Sequence, residues 1–407
     1  MWPANTGARL RDYQLARHLA LCSSVTFLEM HRRGEAQSVP PVDSGLSRIV
    51  TLDKGRAYSL FKIVFGMVGP TPITVWNCWS TRSASKLADV LRSDQFDSVQ
   101  MEGIHLIKYL PMLRAAPGPP AIVVDWHNIE SEIMLRYANL TENWPKKIVA
   151  MRTAKLIQRA ENQLLDACTT HTVPSERERQ ELLARRPRAN IAVIPNGIDT
   201  SSYTPEAISK VSRQSGFGES KPNILFVGSM DYHANVDAVS WFLRAAWPQI
   251  ARNHPDMHFM IVGRDPPPFV RALASDRIHV TGTVDDVRPF YASALAVVAP
   301  IRSGSGTRIK ILEAMAAGVP VVATRLGAEG LAVEDGVHLL LADDGQEIAL
   351  AVARLASSFE TRIRLSRAGR ALVSRAYDWT TIGTQLYRIH ADLVRSRTPS
   401  PSSKVSD

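Results

Sequence analysis

Between Arg302 and Glu313 the chain sets three cations and one carboxylate around a run of small residues, Ser303-Gly304-Ser305-Gly306-Thr307. Small residues leave backbone N–H groups open to a ligand. Where such a run feeds a helix, those amides stand at the positive end of the helix dipole and form an anion site, with phosphate the usual guest. Arg302, Arg308 and Lys310 bring positive charge to the same place, and Glu313 falls one turn after Lys310, on roughly the same face. A carboxylate beside a phosphate site has a use if it accepts hydrogen bonds from hydroxyls, such as those of a ribose. The bland alternative is a solvated helix start with a chance basic cluster, because strand-loop-helix units often carry such glycines.

The elements that must position these residues are legible on either side. Val297, Val298 and Ala299 are β-branched or small, as in a buried parallel strand. Thr307 is a candidate helix N-cap, and Ile309, Leu312, Ala316 and Ala317 keep the 3.6-residue period of a packed helix. Gly318 can end that helix in the left-handed conformation and Pro320 bars its continuation, so Val321 to Ala323 form the next strand.

The same alternation of strand and helix runs through most of the 407 residues and predicts an α/β fold built on doubly wound parallel sheets. Residues 1–202 read as one domain and 222–376 as a second. The polar stretch 203–221 reads as a linker, 377–394 as a last helix, and the Ser/Pro-rich 395–407 as a disordered tail. A helix over Val236 to Ile250 and one over Tyr58 to Met67 are expected, the latter a core helix or an apolar segment that touches lipid. Asn5-Thr6-Gly7-Ala8-Arg9 reads as a loop leading into the first helix.

One further constellation stands at a strand end. Ala121 to Asp125 (AIVVD) is a clear strand, followed by Trp126, His127 and Asn128. Ligands of open α/β sheets collect at the carboxyl ends of strands, so His127 is placed to contact one; the alternative is a surface histidine capping a loop.

Composition bounds the rest. Cys22, Cys78 and Cys168 show neither pairing nor metal spacing, which suits a reducing compartment. No apolar run is long enough for a spanning helix and the N-terminus has no signal-peptide pattern. The formal net charge of +9 points to an anionic membrane face or phosphorylated substrates ahead of nucleic acid, since no RNA motif, zinc finger or helix-turn-helix pattern is present. No cofactor and no metal is expected: the acidic doublets Asp285-Asp286 and Asp343-Asp344 sit on loops or helix caps.

The segment ILEAMAAGVPVVAT, Ile311 to Thr324, resembles the nucleotide-binding segment of family 4 retaining glycosyltransferases, which have the GT-B fold. The form RSGSGTRIKILEAMA resembles the branch that builds exopolysaccharides and lipid-linked sugars. Pro195-Asn196-Gly197-Ile198-Asp199 resembles the family signature at the end of the first domain. The resemblance implies two Rossmann-like domains facing a cleft, with the C-terminal helix crossing back to the first. It implies that Glu313 binds the nucleotide ribose, that His127 contacts the donor sugar, and that Gly7 and Arg9 lie near donor phosphate and acceptor. Gly304, Gly306 and the amides near Thr307 would cradle the diphosphate. The family's first glutamate, which holds the sugar hydroxyls, falls on Ser305. Its phosphate-binding Arg and Lys fall on Ser229 and Asn235, so Arg308 and Lys310 are expected to take over the charge. The family also has a strand before the Gly7 loop. Met1 stands almost at that loop, which suggests a start set too far downstream or a truncated copy.

The implied reaction is sugar transfer from a nucleotide diphosphate to an acceptor hydroxyl, glycan or lipid-linked, with retention. The expected location is the cytoplasm, peripheral on the inner membrane face. A GT-B epimerase or phosphorylase and a non-catalytic GT-B scaffold are the rival readings.

Overall fold

The computed structural model describes residues 7–31, 44–54, 66, 69–215, 222–304 and 306–397. Its chain contacts divide it into two units, Met1–Pro195 with Ile382–Asp407, and Asn196–Thr381.

In the first unit the described elements run α1 (Gly7–Ala20), β1 (Thr26–His31), β2 (Arg48–Asp53), α2 (Ile73–Cys78), α3 (Thr81–Ser93), β3 (Ser98–Glu102), α4 (Leu110–Arg114) and β4 (Ala121–Asp125). They continue with α5 (Glu130–Leu140), α6 (Trp144–Ala167), β5 (Thr170–Val173), α7 (Glu176–Arg185) and β6 (Ile191–Val193). β1 pairs with β2, and a separate sheet has the order β3-β4-β5-β6, every pair parallel. Val123 and Val124 of β4 are fully buried, as expected of a parallel strand covered on both faces. α6 lays Ala150, Ala154, Ile157, Glu161 and Leu164 against the core at helical spacing.

The second unit continues with α8 (Pro205–Ser215), β7 (Asn223–Val227), α9 (His233–Ala245), α10 (Trp247–Asn253), β8 (His258–Val262), α11 (Pro268–Arg271), β9 (Ile278–Gly282), α12 (Arg288–Ser293) and β10 (Ala294–Ala299). Then follow α13 (Ile309–Ala316), β11 (Val321–Ala323), β12 (Leu340–Leu341), α14 (Gly345–Ser357), α15 (Phe359–Ala376) and α16 (Trp379–Arg397), which from Ile382 belongs to the first unit. The sheet order is β12-β11-β10-β7-β8-β9, all parallel. Along β7 the side chains alternate between two cores: Ile224 and Phe226 join one, Leu225 and Val227 the other. The strand order reverses between β7 and β10, and the carboxyl ends of those two strands are where such sheets bind ligands.

Several expectations are corrected. Gly7, Ala8 and Arg9 form the first turn of α1 and not a loop. The helix expected over Val236 to Ile250 is two, α9 and α10, because Pro248 lacks the N–H that a continuous helix would donate. The polar stretch after Ser201 is not a plain linker: a 3-10 turn over Thr200–Tyr203 leads into α8, which begins at Pro205, a residue suited to the first helical position. Tyr203 and Ile208 are buried there, which polar composition concealed. The last helix continues to Arg397, so Arg395 to Arg397 are helical. Apart from Gly66, the expected helix over Tyr58 to Met67 lies outside the described residues, as do 398–407. Among the described residues no helix is long and apolar enough to cross a membrane.

Candidate functional site

In the second unit the carboxyl end of β7 is a tight backbone crossing. A Cβ on Gly263 would stand 1.8 Å from the Gly228 carbonyl oxygen, and one on Gly228 would stand 2.8 Å from both Asn235 Nδ2 and Lys310 Nζ. A side chain at Gly263 would strike backbone, so only glycine fits there; one at Gly228 would push Asn235 and Lys310 aside. Lys310 Nζ donates to Asn235 Oδ1 at 2.7 Å and sits 4.1 Å from the Phe226 ring centroid, while Asn235 Nδ2 donates to the Ser229 carbonyl at 2.8 Å. Burial, reinforced by the charge of Arg308, lowers the Lys310 pKa to about 7.

The segment after β10 supplies the rest. Gly304 has φ +96°, and a Cβ there would meet Tyr232 Oη at 2.4 Å. Gly306, at φ +87°, is also in the conformation that favours glycine. Arg308 is buried, which lowers its pKa, and its interaction with Tyr232 acts in the opposite sense. Ser305 lies outside the described residues.

Thr307 does not cap α13. Arg308 holds the N-cap position without a side-chain cap bond, and Thr307 Oγ1 accepts from Asn196 Nδ2 at 2.9 Å. Two residues picked out separately in the sequence are thereby brought together. Arg302 turns onto α9, where Nη2 pairs with Asp237 Oδ1 at 2.7 Å and the guanidinium lies over Trp241. The expected third phosphate cation is therefore engaged by a carboxylate.

Glu313 accepts from Tyr203 Oη at Oε1 and from Tyr291 Oη at Oε2, each at 2.9 Å. Burial raises its pKa and the two hydroxyls oppose the shift. Each carboxylate oxygen keeps a further lone pair for a ligand hydroxyl. Sequence reasoning missed both tyrosines, whose spacing from Glu313 carries no local signal. It also passed over Arg264, whose Nε donates at 2.8 Å to Ser229 Oγ, itself bonded to Asp231. The available clue was that Gly263-Arg264 closes β8 as Gly228-Ser229 closes β7.

In the first unit a second cluster forms at the ends of β3 and β4, whose last residues, Glu102 and Asp125, are register partners. Asp125 is fully buried and takes both Nε and Nη2 of the buried Arg11 at 2.8 Å, with a further bond from Thr172 Oγ1 at 2.5 Å. Burial alone would raise the Asp125 pKa, but the Arg11 guanidinium outweighs it and holds the carboxyl below its ordinary value. This clasp fixes α1 to the strand end. His127 Nε2 then lies 3.0 Å from Asp12 Oδ1, 3.1 Å from Glu102 Oε2 and 3.7 Å from Asp125 Oδ2. Burial lowers the ring's pKa, yet Asp12 and Glu102 together push it up to about 11. Burial and the charges of Asp12 and Asp125 raise Glu102 despite His127.

Arg11, Asp12 and Glu102 are residues the sequence reading missed; an arginine on the buried face of an amphipathic helix was the signal for the first. Asp12, Glu102 and His127 each offer a ligand atom within 4.8 Å of the others, a group that could hold a metal ion. A ring protonated up to about 11 is a hydrogen-bond donor, so a metal would have to displace that proton. Gly7 is exposed at the start of α1 with open space where a Cβ would go, so nothing described there requires a glycine; Arg9 is exposed on the same helix.

The family model described as "Glycosyltransferase Family 4" matches residues 47–202, and the model "Glycosyl transferases group 1" matches 221–358. Together these two matches support a family 4 glycosyltransferase. The chain is 33% identical over 214 residues to the phosphatidyl-myo-inositol mannosyltransferase of Mycobacterium tuberculosis (strain ATCC 25618 / H37Rv), covering 50% of this chain and 54% of that protein. It is 28% identical over 261 residues to the D-inositol 3-phosphate glycosyltransferase of Acidothermus cellulolyticus, covering 59% and 56%. The matched stretches thus span about half the length of these relatives.

Among solved structures, sucrose-phosphate synthase from Thermosynechococcus elongatus superposes with a TM-score of 0.68 at 17% identity, covering 96% of this chain and 94% of that one. Anabaena Alr3699/HepE in complex with UDP gives 0.66 at 16% identity, covering 95% and 96%. These likenesses show the fold, which is GT-B, with two Rossmann-like halves.

Proposed function

We propose that this protein transfers a sugar from a nucleotide-diphosphate sugar to an acceptor hydroxyl, with retention at the anomeric carbon. One observation carries the reading: at the carboxyl ends of β7 and β10, one helix presents both a buried amine and a carboxylate. Lys310 Nζ lies against the Gly228 turn, and Glu313 is oriented by two tyrosine hydroxyls. Lys310 and Arg308 neutralise the departing diphosphate, Gly304 and Gly306 let its oxygens approach the backbone, and Glu313 receives the ribose hydroxyls. Asn196, Thr307 and Ser229 border that site; Arg302, engaged by Asp237, has a weaker claim on it. His127, charged and held by Asp12 and Glu102, donates a hydrogen bond to a sugar hydroxyl. Same-face attack without an enzyme-bound intermediate accounts for retention.

The mannosyltransferase relative is named for phosphatidyl-myo-inositol, and the HepE structure contains UDP. A lipid-linked acceptor and a uridine donor are therefore the first to try, with the protein at the cytoplasmic membrane face. Isothermal titration with UDP, GDP and ADP, followed by a donor screen scored for hydrolysis, tests the reading. Saturable binding of one nucleotide, lost in Glu313→Ala, is expected. Binding of none would overturn the assignment in favour of a non-catalytic GT-B protein.

A further inference from the structure

Helices α5 and α6 pack against each other as a hairpin joined by Thr141, Glu142 and Asn143. Helical pairs normally hide their large apolar residues, yet here each helix exposes a stripe. On α5, Ile133, Tyr137 and Leu140 follow one another at i, i+4 and i+7; on α6, Trp144, Ile148 and Met151 repeat that spacing. Leu140 is 81% exposed and Trp144 72%, and they flank the turn at the hairpin tip. The buried face of α6 is a different stripe, Ala150, Ala154, Ile157 and Leu164, so the exposed residues are not its core contacts.

Charge complementarity names the occupant. From Trp144 to Ala160, α6 carries Lys146, Lys147, Arg152, Lys155 and Arg159 and no acidic residue, and Lys155 continues the line of Trp144, Ile148 and Met151. Apolar side chains bounded by Trp and Tyr and bordered by cations fit a surface that is apolar within and anionic at its face. A protein partner would have to supply both an apolar groove and an acidic rim; a bilayer with anionic headgroups supplies both at once. We infer that the α5–α6 hairpin docks this protein on an anionic membrane, with Leu140 and Trp144 entering the headgroup boundary and the α6 cations on the phosphates. This deepens the proposed action on a lipid-linked acceptor and rests on that reading for its purpose.

Co-sedimentation with vesicles tests it, with no nucleotide or acceptor present. The vesicles are of phosphatidylcholine alone, and of phosphatidylcholine with about one third phosphatidylglycerol. The wild type should bind the anionic vesicles, release with added salt, and bind the neutral ones weakly. The double variant Leu140→Gln/Trp144→Gln should lower partitioning about tenfold or more. Lys146→Ala/Lys147→Ala should lower it on anionic vesicles only. All four sites are exposed, so both variants should melt as the wild type does. Absence of wild-type binding, or binding that ignores both double variants, overturns the inference. So does a dimer that the apolar variant breaks, which would give the face to a second copy. Neither result bears on nucleotide titration, and a protein that binds vesicles but no nucleotide would sink the transfer reading alone.

Discussion

Lys310 makes the proposed donor site testable by pH alone. In the free protein its amine is lowered to about 7, because burial and the Arg308 charge disfavour the ammonium. A bound diphosphate brings two anionic groups to that nitrogen and restores the ammonium, so above neutrality binding must take up a proton. The nucleotide's own last ionisation lies near 6 and is complete before this window opens. If binding returns Lys310 to its ordinary 10.5, affinity for UDP falls about 25-fold between pH 7.5 and 9, with close to one proton absorbed per nucleotide bound. Isothermal titration in buffers of different ionisation enthalpy reads both quantities. Lys310→Arg should flatten the dependence, because guanidinium does not titrate in this range. Constant wild-type affinity with no proton uptake would refute both the buried-amine argument and the role given to Lys310. The stability sign is opposite to that of a paired lysine. The folded pKa lies below the unfolded one, so the cost is full below about pH 7 and fades as pH rises toward 10.5.

Glu313→Gln should weaken nucleotide binding about 10- to 100-fold by removing the charged acceptor, without lowering thermal stability, since it also relieves a buried carboxylate. His127→Gln should cut transfer by about two orders of magnitude while UDP affinity, measured by titration, stays within about twofold. Gly304→Ala puts a Cβ 2.4 Å from Tyr232 Oη at φ +96°, and should cost about 1–3 kcal/mol in urea unfolding, partly recovered in Gly304→Ala/Tyr232→Phe. Arg11→Ala strands the buried Asp125 and should cost about 3–5 kcal/mol. The stabilisation from Asp125 is present above its ordinary carboxylate range and lost as pH falls through its lowered folded pKa, so the wild type should lose stability in acid and the variant should lose less.

The sequence alone determined the alternation of elements and the loop-helix unit carrying Lys310 and Glu313. Strand and helix periods, helix-ending glycines and prolines are properties of neighbouring residues, and a chain reports them locally. Strand 121–125 falls where the pattern placed it. It also offered His127 as a candidate, because a histidine two residues past a buried strand end is visible in a line of text. The tertiary structure decided which groups surround those residues. Tyr203 and Tyr291 reach Glu313 from other elements, and Asn235 holds Lys310 from 75 positions away. Arg11 meets Asp125 across 114 positions. Arg302, basic and beside the glycine loop, went to Asp237, because a nearby carboxylate competes for a guanidinium more directly than sequence proximity suggests. Propensity acts over a few residues, whereas a site's charge state is set by burial and by partners that only the folded sheet brings within a few ångströms.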